Sequence, residues 1–274
     1  MNVNPESILK VTDLTKSVQL EGKSLSLLQP VNLQVNTGES LAIVGSSGSG
    51  KTTLLSILAG LDLPTAGEVY IKNHPLHQFN EEQRSQVRAE HVGFIFQQFL
   101  LINSLTALEN VMLPAELANI DNAKDKGIEL LELVGLSGRL DHFPSQLSGG
   151  EQQRVAIARA FISQPDILFA DEPTGNLDTK TGQYIADLLF DLNTRLGTTL
   201  VLVTHDPKLA ARCSRQVVMD SGVLTEAVND KNNEVEKSND MDSTEDGLRN
   251  KSSIDNDPVD NSSAEIGEGE VCSN

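Results

Sequence analysis

An α/β fold, with a parallel sheet that turns its strand ends toward one crevice, is what this sequence predicts, and three stretches predict it. The first is Gly45-Ser46-Ser47-Gly48-Ser49-Gly50-Lys51-Thr52, a G-x-x-x-x-G-K-T string that follows the apolar run Leu41-Ala42-Ile43-Val44. The second is Ile167-Leu168-Phe169-Ala170, fully apolar, which delivers Asp171 and Glu172 at its carboxyl end. The third, residues 199–203, delivers Thr204, His205 and Asp206 in the same way. Short apolar runs of this kind read as buried strands. In open parallel α/β sheets, ligands bind outside the carboxyl ends of the strands, so the glycines, the paired carboxylates and the histidine converge on one site.

The glycine string indicates the ligand. Its glycines let the backbone curl with N–H groups pointing inward, and a helix beginning near Lys51 adds the positive end of its dipole. Lys51 sets a point charge against the β and γ phosphates, and the Thr52 hydroxyl is a hard oxygen ligand suited to Mg²⁺. The expected ligand is a Mg-nucleoside triphosphate.

Composition narrows the class further. The chain has 274 residues, 38% hydrophobic and 22% charged, as in an ordinary globular protein. No apolar run approaches the roughly 18 residues needed to cross a bilayer, and residues 1–10 have neither a basic start nor an apolar signal core; the protein is expected in the cytoplasm. Cys213 and Cys272 lie far apart without metal-type spacing, so both are expected to be free thiols. A formal charge of −18 argues against a nonspecific nucleic-acid binder. Half of that charge is local: residues 227–274 carry 13 Asp and Glu against 4 Lys and Arg. This acidic segment lacks apolar periodicity and is expected to be disordered.

Taken in order, residues 8–14 and 24–28 have β character with Gly22 between them and Pro30 as punctuation, which predicts an antiparallel ribbon. Residues 40–44 are the strand that feeds the phosphate loop, and residues 51–61 the helix that leaves it, ended by Pro64 and Gly67. A strand follows over 68–71, a charged exposed helix over 81–90, and a buried strand over 92–96 with Gln97 where its apolar run ends. Phe99, Leu100, Leu101, Ile102 and Leu105 are unusually apolar for a segment that also carries Asn103, Ser104 and Thr106, and a partner-facing surface is expected there. Residues 107–135 read as helix broken at Pro114 and polar over 119–126, which predicts a small helical insert. Ser148 then stands before Gly149, Gly150 and the helix 151–162, where two glycines leave N–H groups uncovered and make a second, weaker anion site. The last strand is the one over 199–203.

The set formed by residues 45–52, Gln97, Leu147-Ser148-Gly149-Gly150-Glu151-Gln152-Gln153-Arg154, residues 167–172, Gly175-Asn176-Leu177-Asp178 and His205, in that order, resembles the ABC transporter ATPase subunit. Within that family, residues 92–97, 105–107 and 173–178 are similar to the branch containing LolD, MacB and FtsE. The resemblance covers residues 8–226. It implies a P-loop NTPase (RecA-like) core with an N-terminal antiparallel β subdomain and a helical insert over about 98–162, in an ATP-binding domain of residues 1–226.

What the resemblance implies for function is an ATPase stacked as a head-to-tail homodimer, each phosphate loop closed by Ser148, Gly149 and Gly150 of the other copy. The nucleotide-binding set would be Gly45, Ser46, Ser47, Gly48, Ser49, Gly50, Lys51, Thr52 and Thr53, joined by those three. Asp171, Thr52 and Gln97 would attend Mg²⁺, Glu172 would polarise the attacking water, His205 would donate to the γ phosphate, and Asp178 would reach across the dimer. The partner implied is a separate membrane permease of the FtsX/MacB type, with the ATPase peripheral on the cytoplasmic face of the cell membrane. The alternative is a regulator like FtsE that gates an extracytoplasmic enzyme and carries no cargo. One departure stands out: the family's adenine-stacking aromatic falls at Val18, which offers no π face.

Overall fold

The computed structural model describes residues 6–20 and 22–227. Apart from Ala227, the acidic segment lies outside the described residues.

Two sheets organise the chain. The first is antiparallel, in the order β2 (Lys23–Asn36), β1 (Ser7–Leu20), β4 (Ala66–Ile71), β5 (His74–Pro75). The expected ribbon is present but longer than its two β-type stretches. Pro30 lies inside β2, at a register shift where Leu14 pairs with Val31 and Lys16 with Leu28. A bulge breaks the ladder there, so a residue with no N–H is tolerated.

The second sheet has the order β10 (Val223–Glu226), β9 (Arg215–Asp220), β3 (Ser40–Val44), β8 (Thr199–Thr204), β7 (Ile167–Asp171), β6 (Val92–Ile95). It is parallel except for the edge strand β10. Its inner strands β3, β8 and β7 are buried over nearly their whole length because both faces are covered. Leu41, Ile43, Ile167, Phe169, Val201 and Val203 pack toward the antiparallel sheet and α1 (Lys51–Leu58). Ala42, Leu168, Ala170, Leu200 and Leu202 pack into the core shared with α3 (Ala107–Leu117), α4 (Ala123–Leu133), α5 (Gly149–Phe161) and α6 (Thr179–Leu196). Alternate residues of one strand thus serve two cores.

Several boundaries differ from expectation. The helix after the phosphate loop stops at Leu58, because Gly60 adopts a left-handed φ of +71° and Leu61 N–H turns back to the Ser56 carbonyl at 2.8 Å. α2 (Glu81–His91) begins with a capping box between Asn80 and Gln83, close to its predicted span. α3 runs through Pro114 and the break falls over residues 118–122 instead. Proline forfeits one backbone bond, but Ala107, Val111 and Ala115 bury one face of α3 and a Thr106–Glu109 capping box fixes its start. β8 is not the last strand: α7 (Pro207–Ala210), β9 and β10 follow. Cys213 is buried and free, its thiol pushed up to about 12 by burial.

Candidate nucleotide site

Register brings the site together. Val44 pairs with Thr204, and Asp171 with Val203, so β3, β8 and β7 end side by side. Beyond those ends lies a cavity of about 830 Å³ lined by Ser47, Gly48, Gly50, Lys51, Thr52, Thr53, Gln97, Asp171, Glu172 and His205. Gly45, Ser46 and Ser49 form the turn behind it. The Gly45 and Ser46 carbonyls accept from Lys51 Nζ at 2.9 and 2.7 Å, and Ser49 is buried. A side chain at Gly45 would run into the Met219 carbonyl of β9, so this position has room for glycine alone.

The carboxylates sit in different surroundings. Burial pushes the Asp171 carboxyl above the ordinary Asp value; the Thr52 hydroxyl pulls it down, the Glu172 charge raises it and Lys51 lowers it. A cation would relieve the crowding of two negative charges. Glu172 takes a left-handed φ of +45°, an uncommon conformation for a residue with a side chain. Its N–H donates to the Val203 carbonyl at 2.9 Å, its Oε1 meets His205 Nδ1 at 2.8 Å, and the Thr204 hydroxyl lies 3.4 Å from its Oε2. Asn176 Nδ2 donates to the Gln97 carbonyl at 2.8 Å, and a Cβ at Gly175 would lie 3.1 Å from Gln97 Nε2. The turn after Glu172 and Gln97, two residues beyond β6, are therefore packed as one unit.

Ser148, Gly149 and Gly150 lie elsewhere. They line a second cavity of about 650 Å³ with Asn176, Asp178 and Tyr184. Ser148 caps α5: its hydroxyl accepts from Glu151 N–H at 3.3 Å while Glu151 Oε2 accepts from Ser148 N–H at 2.8 Å. This box leaves the Gly149 and Gly150 N–H groups uncommitted. Arg139 donates to Glu151 at 2.9 Å and, with the Ser148 bonds, holds its carboxyl down at about 2. Asp178 caps α6, accepting from Lys180 and Thr181 N–H at 3.1 and 3.0 Å.

Sequence reasoning missed one wall of the first cavity. Leu25, Ser26 and Leu27 of β2 line it, together with Ser221 and Gly222 from the turn between β9 and β10. The Gln29 N–H to Gly222 carbonyl bond, 2.9 Å, joins these two pieces. Val18 does not line the cavity, but its cross-strand partner Leu25 does and is exposed. The apolar segment after Gln97 is also exposed, at Leu100 and Ile102. Arg159 donates to the Phe99 and Leu100 carbonyls at 3.0 and 2.7 Å, and buried Asn110 donates to those of Ile102, Leu105 and Thr106. Among the described residues no helix is long and apolar enough to cross a membrane.

A phosphate loop at the head of a parallel sheet, paired carboxylates and a histidine on the neighbouring strands, and a separate Ser-Gly-Gly helix start define an ATP-binding cassette ATPase. The family model described as ABC transporter matches residues 28–175, and the chain belongs to that family. It is an ATP-binding, ATP-hydrolysing subunit of the LolD and YbbA type. Over 223 residues it is 57% identical to the uncharacterized ABC transporter ATP-binding protein YbbA of Escherichia coli K12, covering 81% of this chain and 98% of that protein. The lipoprotein-releasing system ATP-binding protein LolD of Shewanella sp. MR-4 is 48% identical over 219 residues, 79% of this chain and 95% of LolD. A dimeric post-hydrolysis structure of the ATP-binding cassette MJ0796 with ADP and Pi superposes with a TM-score of 0.73 at 41% identity, covering 80% of this chain and 98% of that one.

Proposed function

We propose that two copies of this chain close head to tail on ATP and, through that closure, drive a separate membrane subunit of the FtsX/MacB type. The observation that carries the reading is that the two phosphate-attracting helix starts of one chain, at Lys51 and at Ser148, line different cavities. Each is a half-site, and a second copy supplies the other half. A phosphate touched by both copies makes binding a dimerising event and its removal a release.

In the first half-site, loop N–H groups and Lys51 neutralise the triphosphate. Glu172 takes a proton from the attacking water as its oxygen bonds to the γ phosphorus, and the bond to the β–γ bridging oxygen breaks, leaving ADP and phosphate. His205 Nδ1 lies 2.8 Å from Glu172 Oε1, which holds the ring and leaves Nε2 as the nitrogen that would meet the phosphate. The Thr52 hydroxyl, the Gln97 amide oxygen and the Asp171 carboxylate are hard oxygen donors lining this cavity and would hold Mg²⁺. Such an ion would supply charge neutralisation on the phosphate oxygens.

The segment from Phe99 to Leu105 begins two residues after Gln97, exposes Leu100 and Ile102 and is braced by Arg159 and Asn110, which suits it to receive a short helix of the membrane subunit on the cytoplasmic face. Light scattering of the Glu172→Gln variant tests the core of the proposal: it is expected to be dimeric with Mg-ATP and monomeric without. A variant that binds ATP yet stays monomeric overturns it.

A further inference from the structure

Gln153 lies on the first turns of α5, five residues beyond the Ser148 cap, and is fully buried. Its Nε2 donates to the Pro173 carbonyl at 2.6 Å, across 20 residues of sequence. Its Oε1 is buried with no hydrogen-bond partner among the described residues. A half-satisfied buried amide is worse for stability than an apolar side chain of the same shape. The hydrogen it donates therefore has a use beyond packing.

Pro173 directly follows Glu172, and the bond acts on the turn that sets Glu172's strained backbone. That turn is fixed on other sides by Glu172 N–H to the Val203 carbonyl of β8 and by Gly175 N–H to the Glu172 carbonyl, 3.0 Å. The Gln153 bond ties it to the helix that begins at Ser148. We infer that Gln153 is a positioning residue: it ties the aim of the Glu172 carboxylate to the seating of α5, so that engagement of the Ser148 segment is felt at the water-activating group of the same chain. This rests on the proposed role of Glu172.

The test compares Gln153→Met and Gln153→Glu with the full-length wild-type chain, measuring turnover, nucleotide affinity and melting temperature between about pH 5.5 and 9. In Gln153→Met, kcat is expected to fall about tenfold or more, the effect of one lost hydrogen bond, with Kd for Mg-ATP within about twofold. In Gln153→Glu, only the protonated carboxyl can donate to Pro173, so turnover relative to wild type is expected to rise as pH falls. Wild-type turnover in Gln153→Met overturns the inference. So does an equal loss of kcat and affinity with a flat pH ratio in Gln153→Glu, because that is the signature of packing alone. If Gln153→Met fails to fold, the pH ratio of Gln153→Glu decides. Glu172→Gln runs alongside: steady hydrolysis there removes the underlying role of Glu172, whereas an inactive Glu172→Gln beside a fully active Gln153→Met removes only the inference.

Discussion

Two helices of this molecule begin at glycines, and they begin differently. α1 starts behind Gly50, in a left-handed conformation with φ of +104°, with no side-chain cap and no acidic residue in its first turn. Its dipole is left for a ligand, and Lys51 stands at the same place. α5 starts behind a Ser148–Glu151 capping box whose carboxylate sits in the first turn and is held by Arg139. A negative charge there cancels part of the dipole's pull on an anion, while the box and the ion pair make the start rigid. On the proposed reading, one helix start captures a phosphate and the other presents a firm edge to one already captured.

The sharpest way to break this comparison is to disable the capturing side's chemistry. Glu172→Gln is expected to lower turnover by about 10²–10⁴, the usual contribution of a positioned general base, while ATP binding persists in a filter or fluorescence assay; unchanged hydrolysis refutes the assignment. Next in size is Gly150→Val. A Cβ at Gly150 would lie 2.5 Å from Thr181 Cγ2, so the Thr181 side chain or the α5 start must shift. Turnover is expected to drop about 10–100-fold, with nucleotide affinity of the monomer within about twofold. Equal losses in both would mean the two helix starts are not separable.

The base end of the cavity gives a smaller effect. Its wall is aliphatic at Leu25 and Leu27, and aromatic stacking on a base is worth about 1–3 kcal/mol. GTP is therefore expected to compete with ATP better than in a relative bearing the aromatic. Val18→Tyr is expected to tighten ATP about fivefold or more and leave inorganic triphosphate unchanged; a strict ATP preference in the wild type would contradict this.

Smaller still is the ion pair behind α5. Glu151 has its carboxyl lowered from 4.5 to about 2, so its contribution to stability is present above about pH 4.5 and is lost as pH falls toward 2. Arg139→Ala is expected to lower stability at pH 7 by about 0.5–1 kcal/mol and to converge with wild type in acid, which thermal melts at several pH values would detect. Smallest of all, removing residues 229–274 is expected to leave ATPase turnover within about twofold, because none of the proposed site residues falls in that acidic stretch of sequence.

Much of the site was legible because its chemistry is local. Residues 45–52 place strand, loop and helix in a few consecutive positions, and the run Ile167 to Glu172 carries an apolar strand straight into two carboxylates. Leu25, Ser26, Leu27, Ser221 and Gly222 were not legible. Ser221-Gly222 reads as a plain turn and 25–27 as a plain strand, and they meet only because β10 lies beside β2. The break near residue 118 was misread for a related reason: Pro114 signals a stop locally, but burial of Val111 and Ala115 carries the helix through it.

By itself, the order of residues determined the ligand class, the family and the side chains proposed to meet the phosphate, because a curled glycine loop and an apolar strand ending in acid each need only their neighbours. Tertiary structure decided the rest: that Asp171 lies level with Val203 and Val44 with Thr204, that the Ser148 helix faces a cavity of its own, and that a buried amide on α5 reaches the turn holding Glu172. Those relations depend on strand register and on which helix face finds the core, and both are settled by packing between segments far apart in the chain.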